Sequence, residues 1–343
     1  MKTPHHWYDA SFKSRLTSQL LWPFGKLYEY ATACRLKSKT AVKYPAPVIC
    51  VGNLNAGGTG KTPTVIALVE AANSLGLSPV IVSKGYKGRA TSPMQVDLSK
   101  HTADLCGDEP LLLANFAPTI VTTRRDLANG LIETLAPDIV ILDDGFQDPS
   151  VFKTYSLIVV DAETGFGNGL CIPAGPLREP VDVGLSRADA CLSIGNQTSQ
   201  ERVSDAQITV PRIRAELSPL QTGMDWDGAP CVAFAGIGRP EKFFDTLRLL
   251  GAKLIHCEAL PDHGEISSSL FMRLKRLALS HQAQFVTTEK DAARLPRTLQ
   301  SEVLALPVRL HAVEPNALQE IIKTALTHHD ELQRIASASP LLR

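Results

Sequence analysis

The sequence contains no Cys-x-x-Cys pair. Its cysteines, at positions 34, 50, 106, 171, 191, 231 and 257, are odd in number and scattered. That pattern argues against a disulfide framework or a zinc site and for a reducing compartment. No apolar run approaches the roughly 20 residues that a spanning helix needs, and no signal peptide is expected. Formal net charge is zero, so the whole-chain charge does not suggest a nucleic-acid binder. There is no internal repeat and no low-complexity segment. The [NT]-K-x-D element of guanine-specific GTPases is also missing. Thr287-Thr288-Glu289-Lys290-Asp291 only looks similar, because Lys290 and Asp291 are adjacent. Gly236-Ile-Gly238 is too short to serve as a dinucleotide fingerprint.

What is present centres on residues 47–63, PVICVGNLNAGGTGKTP. Val48 to Val51 form a short apolar run suited to a buried parallel strand. Asn55, Ala56, Gly57, Gly58, Thr59 and Gly60 follow, then Lys61 and Thr62. Apolar residues recur at helical spacing from Val65. Strand, glycine-rich turn and helix is the context of a phosphate-binding loop. There, backbone N–H groups and the helix N-terminus face a polyphosphate. Lys61 would reach the β- and γ-phosphates of ATP and Thr62 would sit on Mg²⁺. Asn55 stands where the strict pattern has its first glycine; asparagine tolerates left-handed backbone angles, so the turn remains feasible.

Further strands are expected at Pro79–Ser83, Thr119–Thr123, Asp138–Leu142, Ser156–Asp161 and Ala188–Ile194, with Gln207–Leu217 extended. The intervening helical patterns make a βαβ alternation, hence an α/β fold: a P-loop NTPase-type, mainly parallel sheet. A second, smaller α/β unit is expected from Cys231–Ala235, Lys253–Cys257, Gln284–Thr288 and Val303–Val313. The division is 1–45, 46–220 and 221–343, the last with a C-terminal helix.

Asp143-Asp144 after an apolar strand reads as a Walker-B-like pair able to hold Mg²⁺. Asp108-Glu109 at a helix start could be capping carboxylates, or one could face the γ-phosphate and accept a hydroxyl proton. Asp262-His263 gains interest only if the second unit closes on the first. Lys84, Arg124, Arg125 and Arg178 lie near the expected ligand edge of the sheet, each as a phosphate contact or a plain surface charge.

The first 45 residues carry Lys or Arg at 2, 13, 15, 26, 35, 37, 39 and 43 against Asp9 and Glu29, interleaved with aromatics and leucines. Such an amphipathic segment could lie in a membrane interface or pack on the domain with a solvated basic face.

Taken in order, VGNLNAGGTGKTP (51–63), SKGYKGR (83–89), GDEP (107–110), ILDDGFQ (141–147), PAGPLREP (173–180), AGIGRPEKFF (235–244), PDHGE (261–265) and TTEKDAAR (287–294) resemble the tetraacyldisaccharide 4′-kinase (lipid A 4′-kinase) family. The resemblance implies transfer of the ATP γ-phosphate to the 4′-hydroxyl of an acylated glucosamine disaccharide 1-phosphate lipid, giving lipid IV-A. It implies a peripheral or monotopic place on the cytoplasmic face of the bacterial inner membrane; no nucleic acid and no obligatory protein partner are expected. It implies Asp108 as base paired with His263, Lys61 on phosphate, and Thr62, Glu109, Asp143 and Asp144 at metal or nucleotide. Tyr86, Arg124 or Arg125, Arg178 and Glu179 are implied as head-group contacts. The family also tolerates the loss of the first P-loop glycine. It usually has histidine where this chain has Asp148, an anion where an anionic lipid should approach. A P-loop ATPase coupled to a partner is the competing reading of the residues alone.

Overall fold

A computed structural model describes residues 4–37, 40–203, 205–261, 264 and 266–338. Two sheets organise them. The strands are β1 (Val48–Gly52), β2 (Pro79–Ser83), β3 (Met94–Gln95), β4 (Thr119–Val121), β5 (Ile139–Asp143), β6 (Tyr155–Asp161), β7 (Ala190–Ile194), β8 (Arg212–Pro219), β9 (Pro230–Ala235), β10 (Lys253–Ala259), β11 (Gln284–Thr288), β12 (Leu304–Leu306) and β13 (Val308–Ala312). The larger sheet has nine strands in the order β13-β8-β7-β6-β1-β5-β2-β4-β3, and the smaller has four, β10-β9-β11-β12. Every pairing is parallel except those of β3 with β4 and β13 with β8.

The apolar runs make this sheet because both of its faces are covered. Along β1, Ile49 and Val51 join a core with the helix Lys61–Ser74, while Val48 and Cys50 join the core on the opposite face. β5 repeats the alternation, with Ile139 and Ile141 on one side and Val140 and Leu142 on the other. A strand buried on both faces reads as a continuous apolar run, and each such side chain contributes about 1.5–3 kcal/mol by leaving water. Along β1, β2 and β5 polar residues come only where the strands end, which puts Asn53 after β1, Ser83 at the end of β2 and Asp143 at the end of β5 along one edge.

The chain does not stay in the smaller unit once it enters. Val303–Val313 reads in sequence as one strand, but Pro307 divides it. β12 closes the smaller sheet, and β13 returns to pair with β8, from Val308 opposite Pro219 to Ala312 opposite Ala215. Proline has no N–H for a ladder and constrains the residue before it, so the strand breaks there. The C-terminal helix Ala317–Ala338 then packs through Leu318, Ile321, Ile322 and Ala325 into the same core as the Lys61–Ser74 helix. The expected unit 221–343 therefore contains two elements, β13 and this helix, that belong to the larger sheet. The short β3 pairs with β4 at the edge of the larger sheet, and Arg125–Ala128 is a 3-10 turn ahead of the helix Asn129–Leu135.

Candidate active site

β1 runs directly into the glycine-rich loop. Gly57 and Gly60 both hold positive φ, 134° and 96°. A Cβ at Gly60 would meet the mobile end of Ile194, Cδ1, at 2.5 Å, so it is the positive φ that calls for glycine there. Asn55 does not use the left-handed conformation for which asparagine was expected to substitute for glycine. It is buried, and its Nδ2 donates to the carbonyl of Gly165 at 3.0 Å. Ala56 N–H donates to Pro176 O and Arg178 N–H to Leu54 O, both at 2.7 Å. The loop is thus sewn to the Gly/Pro-rich segment 165–180. Asn53, which sequence reasoning passed over, braces it from inside, donating to Gly57 O at 3.2 Å and Thr59 Oγ1 at 3.0 Å. Lys61 and Thr62 open the helix that follows.

The strand-end carboxylates face this loop. Lys61 Nζ lies 3.7 Å from Asp144 Oδ1, and Arg178 grips the same carboxylate at 2.9 and 3.3 Å. Burial works against ionisation of Asp144, but Lys61 and Arg178 outweigh it and hold the group at about 2. Asp143 goes the other way. Burial, then the nearby charges of Glu109 and Asp144, push it up to about 7 despite the 2.9 Å hydrogen bond from Ser83. Two adjacent aspartates are thereby split into an anion and an acid that ionises near neutrality.

Gly107-Asp108-Glu109-Pro110 reaches the site from the neighbouring strand connection. A Cβ at Gly85 would lie 2.7 Å from Cys106 O, and one at Gly107 would lie 2.9 Å from Tyr86 O. The SKGYKGR and GDEP stretches touch backbone to backbone because both are glycine at the contact. Gly107 holds the N-cap position of the helix that Asp108 opens, and Asp108 Oδ1 accepts from Glu109 N–H at 3.1 Å. Asp108 is also buried, with Lys290 Nζ at 4.0 Å and Arg294 Nε at 3.8 Å. Glu109 pairs with Lys290 at 2.9 Å. Both cations belong to the smaller unit, and no local spacing could have tied them to residues so far back in the chain. His263 and Asp262 lie outside the described residues.

The expected head-group residues separate. Tyr86 is exposed and Arg124, paired with Asp126, is largely so. Arg178 is partly exposed on the Asp144 side. Arg125 and Glu179 are instead buried, at 0% and 2%. Arg125 donates to the carbonyls of Asp143 at 2.5 Å and Asp144 at 3.1 Å and pairs with Asp148 at 2.9 Å. Glu179 is held by Arg187 and by Gln147. Neither can meet a lipid without giving up these contacts. Asp148 now has a reason. It is the counter-ion of a guanidinium with no access to water, and Ser150 and Arg125 overcome its burial to hold it at about 2.

Among the described residues no group of three His, Cys, Asp or Glu side chains could by itself hold a metal. Magnesium does not need one, since it takes one or two carboxylates and completes its shell with water and substrate phosphates. Asp143, with Asp144 and Glu109 close enough to raise it, fits that kind of site.

Replacing Asp148 by alanine strands the buried Arg125 charge. Loss of one partner of a buried pair costs about 3 kcal/mol, so the urea midpoint of Asp148→Ala should fall clearly, with Asp148→Asn falling less. A midpoint equal to that of the parent would refute the pairing.

Comparison with known proteins agrees with this layout. The family model Tetraacyldisaccharide-1-P 4'-kinase (LpxK) matches residues 17–327. The Tetraacyldisaccharide 4'-kinase of Dinoroseobacter shibae is 48% identical over 328 residues, covering 94% of this chain and 97% of the relative. That of Jannaschia sp. is 46% identical over 329 residues, covering 95% and 99%. The crystal structure of the "apo" form of LpxK from Aquifex aeolicus in complex with ATP superposes with a TM-score of 0.70 at 24% identity, covering 90% of this chain and 99% of that one. The last supports the fold. The family match over nearly the whole chain and the close relatives go further: this chain belongs to the tetraacyldisaccharide-1-phosphate 4′-kinase family.

Proposed function

We propose that this chain is an ATP- and Mg²⁺-dependent lipid kinase that phosphorylates the 4′-hydroxyl of a tetraacyldisaccharide 1-phosphate. The observation that carries the residue assignment is the meeting of Lys61 with the Asp143–Asp144 pair at one end of a parallel sheet. Ligands of open α/β sheets bind beyond the carboxyl ends of the strands, where the strand order reverses. Here β5 is inserted between β1 and β2, and β6 lies on the other side of β1.

In this reading the loop amides of 55–60 and Lys61 cradle the β- and γ-phosphates. Thr62, Asp143, Asp144 and Glu109 supply oxygen to Mg²⁺ and its waters. The bound metal would neutralise charge on the transferring phosphoryl group. Asp108 accepts the proton of the 4′-hydroxyl, with His263 as its partner. The freed oxygen bonds to the γ-phosphorus as the bond to the bridging oxygen breaks, leaving ADP. Arg178 has the geometry to exchange Asp144 for the lipid 1-phosphate, since guanidinium pairs either group in two-point fashion. Tyr86 and Arg124 remain as exposed head-group contacts.

We place the N-terminal helix, Phe12–Lys37, against a membrane surface. Its inward side is formed by the buried Ser14, Ser18, Gly25 and Thr32, with Tyr28 partly buried against the core. A Cβ at Gly25 would lie 2.9 Å from Cys171 O, so the helix rides close on its own backbone. Phe12, Leu16, Leu20, Phe24, Leu27 and Tyr30 face outward. A helix that packs mainly through small and polar residues and exposes most of its large apolar ones suits an interface with lipid. No described helix is long and apolar enough to cross a membrane, so contact would be peripheral, on the cytoplasmic face of the bacterial inner membrane where this substrate is expected.

Three measurements follow from these assignments. Label from γ-³²P-ATP should appear in tetraacyldisaccharide 1-phosphate held in detergent micelles, and both Lys61→Ala and Asp108→Ala should reduce it by about a hundredfold or more. ATP consumption without labelled lipid would point instead to a P-loop ATPase. Because Asp143 titrates at about 7, a metal bound below that pH must displace its proton. Mg²⁺-nucleotide affinity should therefore rise with pH up to about 7 and then level off, with about one proton released per binding event at about pH 6 and almost none at about pH 8. Calorimetry in buffers of differing ionisation heat reads this directly, and Asp143→Asn should abolish the difference. For the membrane contact, serine at Leu20, Phe24 and Leu27 together should weaken co-sedimentation with anionic vesicles by more than about tenfold, since each large apolar side chain is worth about 1.5–3 kcal/mol when buried. Unaltered sedimentation would rule the helix out as the contact.

A further inference from the structure

The stretch 287–294, TTEKDAAR, is fixed in place far more firmly than a surface turn requires. Thr287 is buried and donates to Phe234 O at 2.9 Å. Thr288 caps the helical turn Glu289–Arg294, accepting from Asp291 N–H at 3.1 Å. Asp291 is buried, accepts from Gly236 N–H at 3.0 Å and pairs with Arg294. These contacts lock the turn to the smaller sheet. A second set pins it to the larger one. Arg309, on the returning strand β13, grips Glu289 with two bonds of 2.8 and 3.1 Å while stacking 4.9 Å over the Phe116 ring. Within the smaller unit, Arg294 donates to the carbonyls of Gly236 and Gly264.

A turn held from both sides presents Lys290 to the edge where the phosphate loop and the strand-end carboxylates meet. Its Nζ lies 2.9 Å from Glu109 Oε1 and 4.0 Å from Asp108 Oδ2. Glu109 in turn is close enough to Asp143 to raise its pKa, and Asp144 sits by Lys61. The carboxylates therefore lie between two lysines, Lys61 from the phosphate loop and Lys290 from the smaller unit. The Lys290 side chain is only 18% exposed, so its charge acts through a medium less screening than water.

We propose that Lys290 is a catalytic residue whose ammonium contacts the oxygens of the transferring phosphoryl group from the side opposite Lys61, and that Glu109 holds it in readiness when no nucleotide is bound. A polyphosphate entering beside Glu109 competes for that ammonium with three negatively charged oxygens. Lysine suits the exchange: it is a compact charge with three rotatable donors and can pass from carboxylate to phosphate without a planar match. Lys290 comes from the smaller unit and Lys61 from the larger, so the two cations reach the carboxylates from different sheets. The proposal rests on the assignment of Lys61 and Asp108 as nucleotide-facing groups.

The test uses the full chain in micelles with Mg²⁺ and tetraacyldisaccharide 1-phosphate, and compares ADP with ADP–fluoroaluminate by calorimetry. Lys290→Met should bind ADP within about threefold of the parent but lose roughly a hundredfold in ADP–fluoroaluminate affinity, with a matching fall in kcat and little change in KM for ATP. Lys290→Arg, which keeps the charge, should recover at least about tenfold of that loss. Lys290→Gln should resemble Lys290→Met and serves if the methionine variant misfolds. Unchanged ADP–fluoroaluminate affinity would overturn the proposal. So would an equal weakening of ADP and its fluoroaluminate complex, which would make Lys290 a strut. Lys61→Ala is the control: if it keeps both affinities, the phosphate-loop assignment fails, independently of Lys290.

Discussion

The constraint on which the site depends is electrostatic. Asp143 and Asp144 stand at the end of β5, whose remaining side chains are all apolar, and Glu109 is brought close to them from the first turn of the helix Asp108–Leu113. Like charges brought together out of water repel strongly, and one of them must be protonated or countered. The molecule does both: Asp143 takes up a proton near neutrality, while Asp144 and Glu109 are flanked by Lys61, Arg178 and Lys290. Beneath them Arg125 ties down the backbone carbonyls of both aspartates and is itself neutralised by Asp148. The site is thus already balanced, and on the proposed assignment a magnesium–nucleotide complex, carrying both signs of charge, would enter by replacing partners instead of creating unpaired ones.

Much of this was legible in the sequence. The phosphate loop, the apolar strand before Asp143-Asp144 and the GDEP stretch sit on the elements their local pattern implies, because each is a short-range signal: a glycine turn, a doubly buried strand, a helix start. Long-range charge pairing left no such trace. Nothing about Arg125 distinguishes it from Arg124 in sequence, yet one is fully buried and the other faces solvent. The reason lies in Asp148 and in carbonyls supplied by a strand end well downstream. Lys290 and Arg294 were visible as part of a motif, but their partners were not. The split of 303–313 between two sheets turned on a single proline whose effect depends on which sheet edge is open to each half.

Asp148 illustrates how a departure from a family pattern can be absorbed. As an isolated substitution it puts a negative charge in a region expected to greet an anionic lipid. Paired with Arg125 and capped by Ser150, it projects little of that charge outward. Lys153 adds to the screening through its bonds to the carbonyls of Phe146 and Asp148.

The smaller unit is inserted between two residues that face each other, Pro219 and Val308, across the β8–β13 ladder. Its entrance and exit are therefore adjacent in space. Closing a long disordered excursion would cost the chain entropy. A folded insert whose own ends lie side by side removes most of that cost before β13 seeks β8. The last strand of the large sheet can then zip as though its partner were a near neighbour, and a domain interrupted in sequence can assemble as one that is continuous.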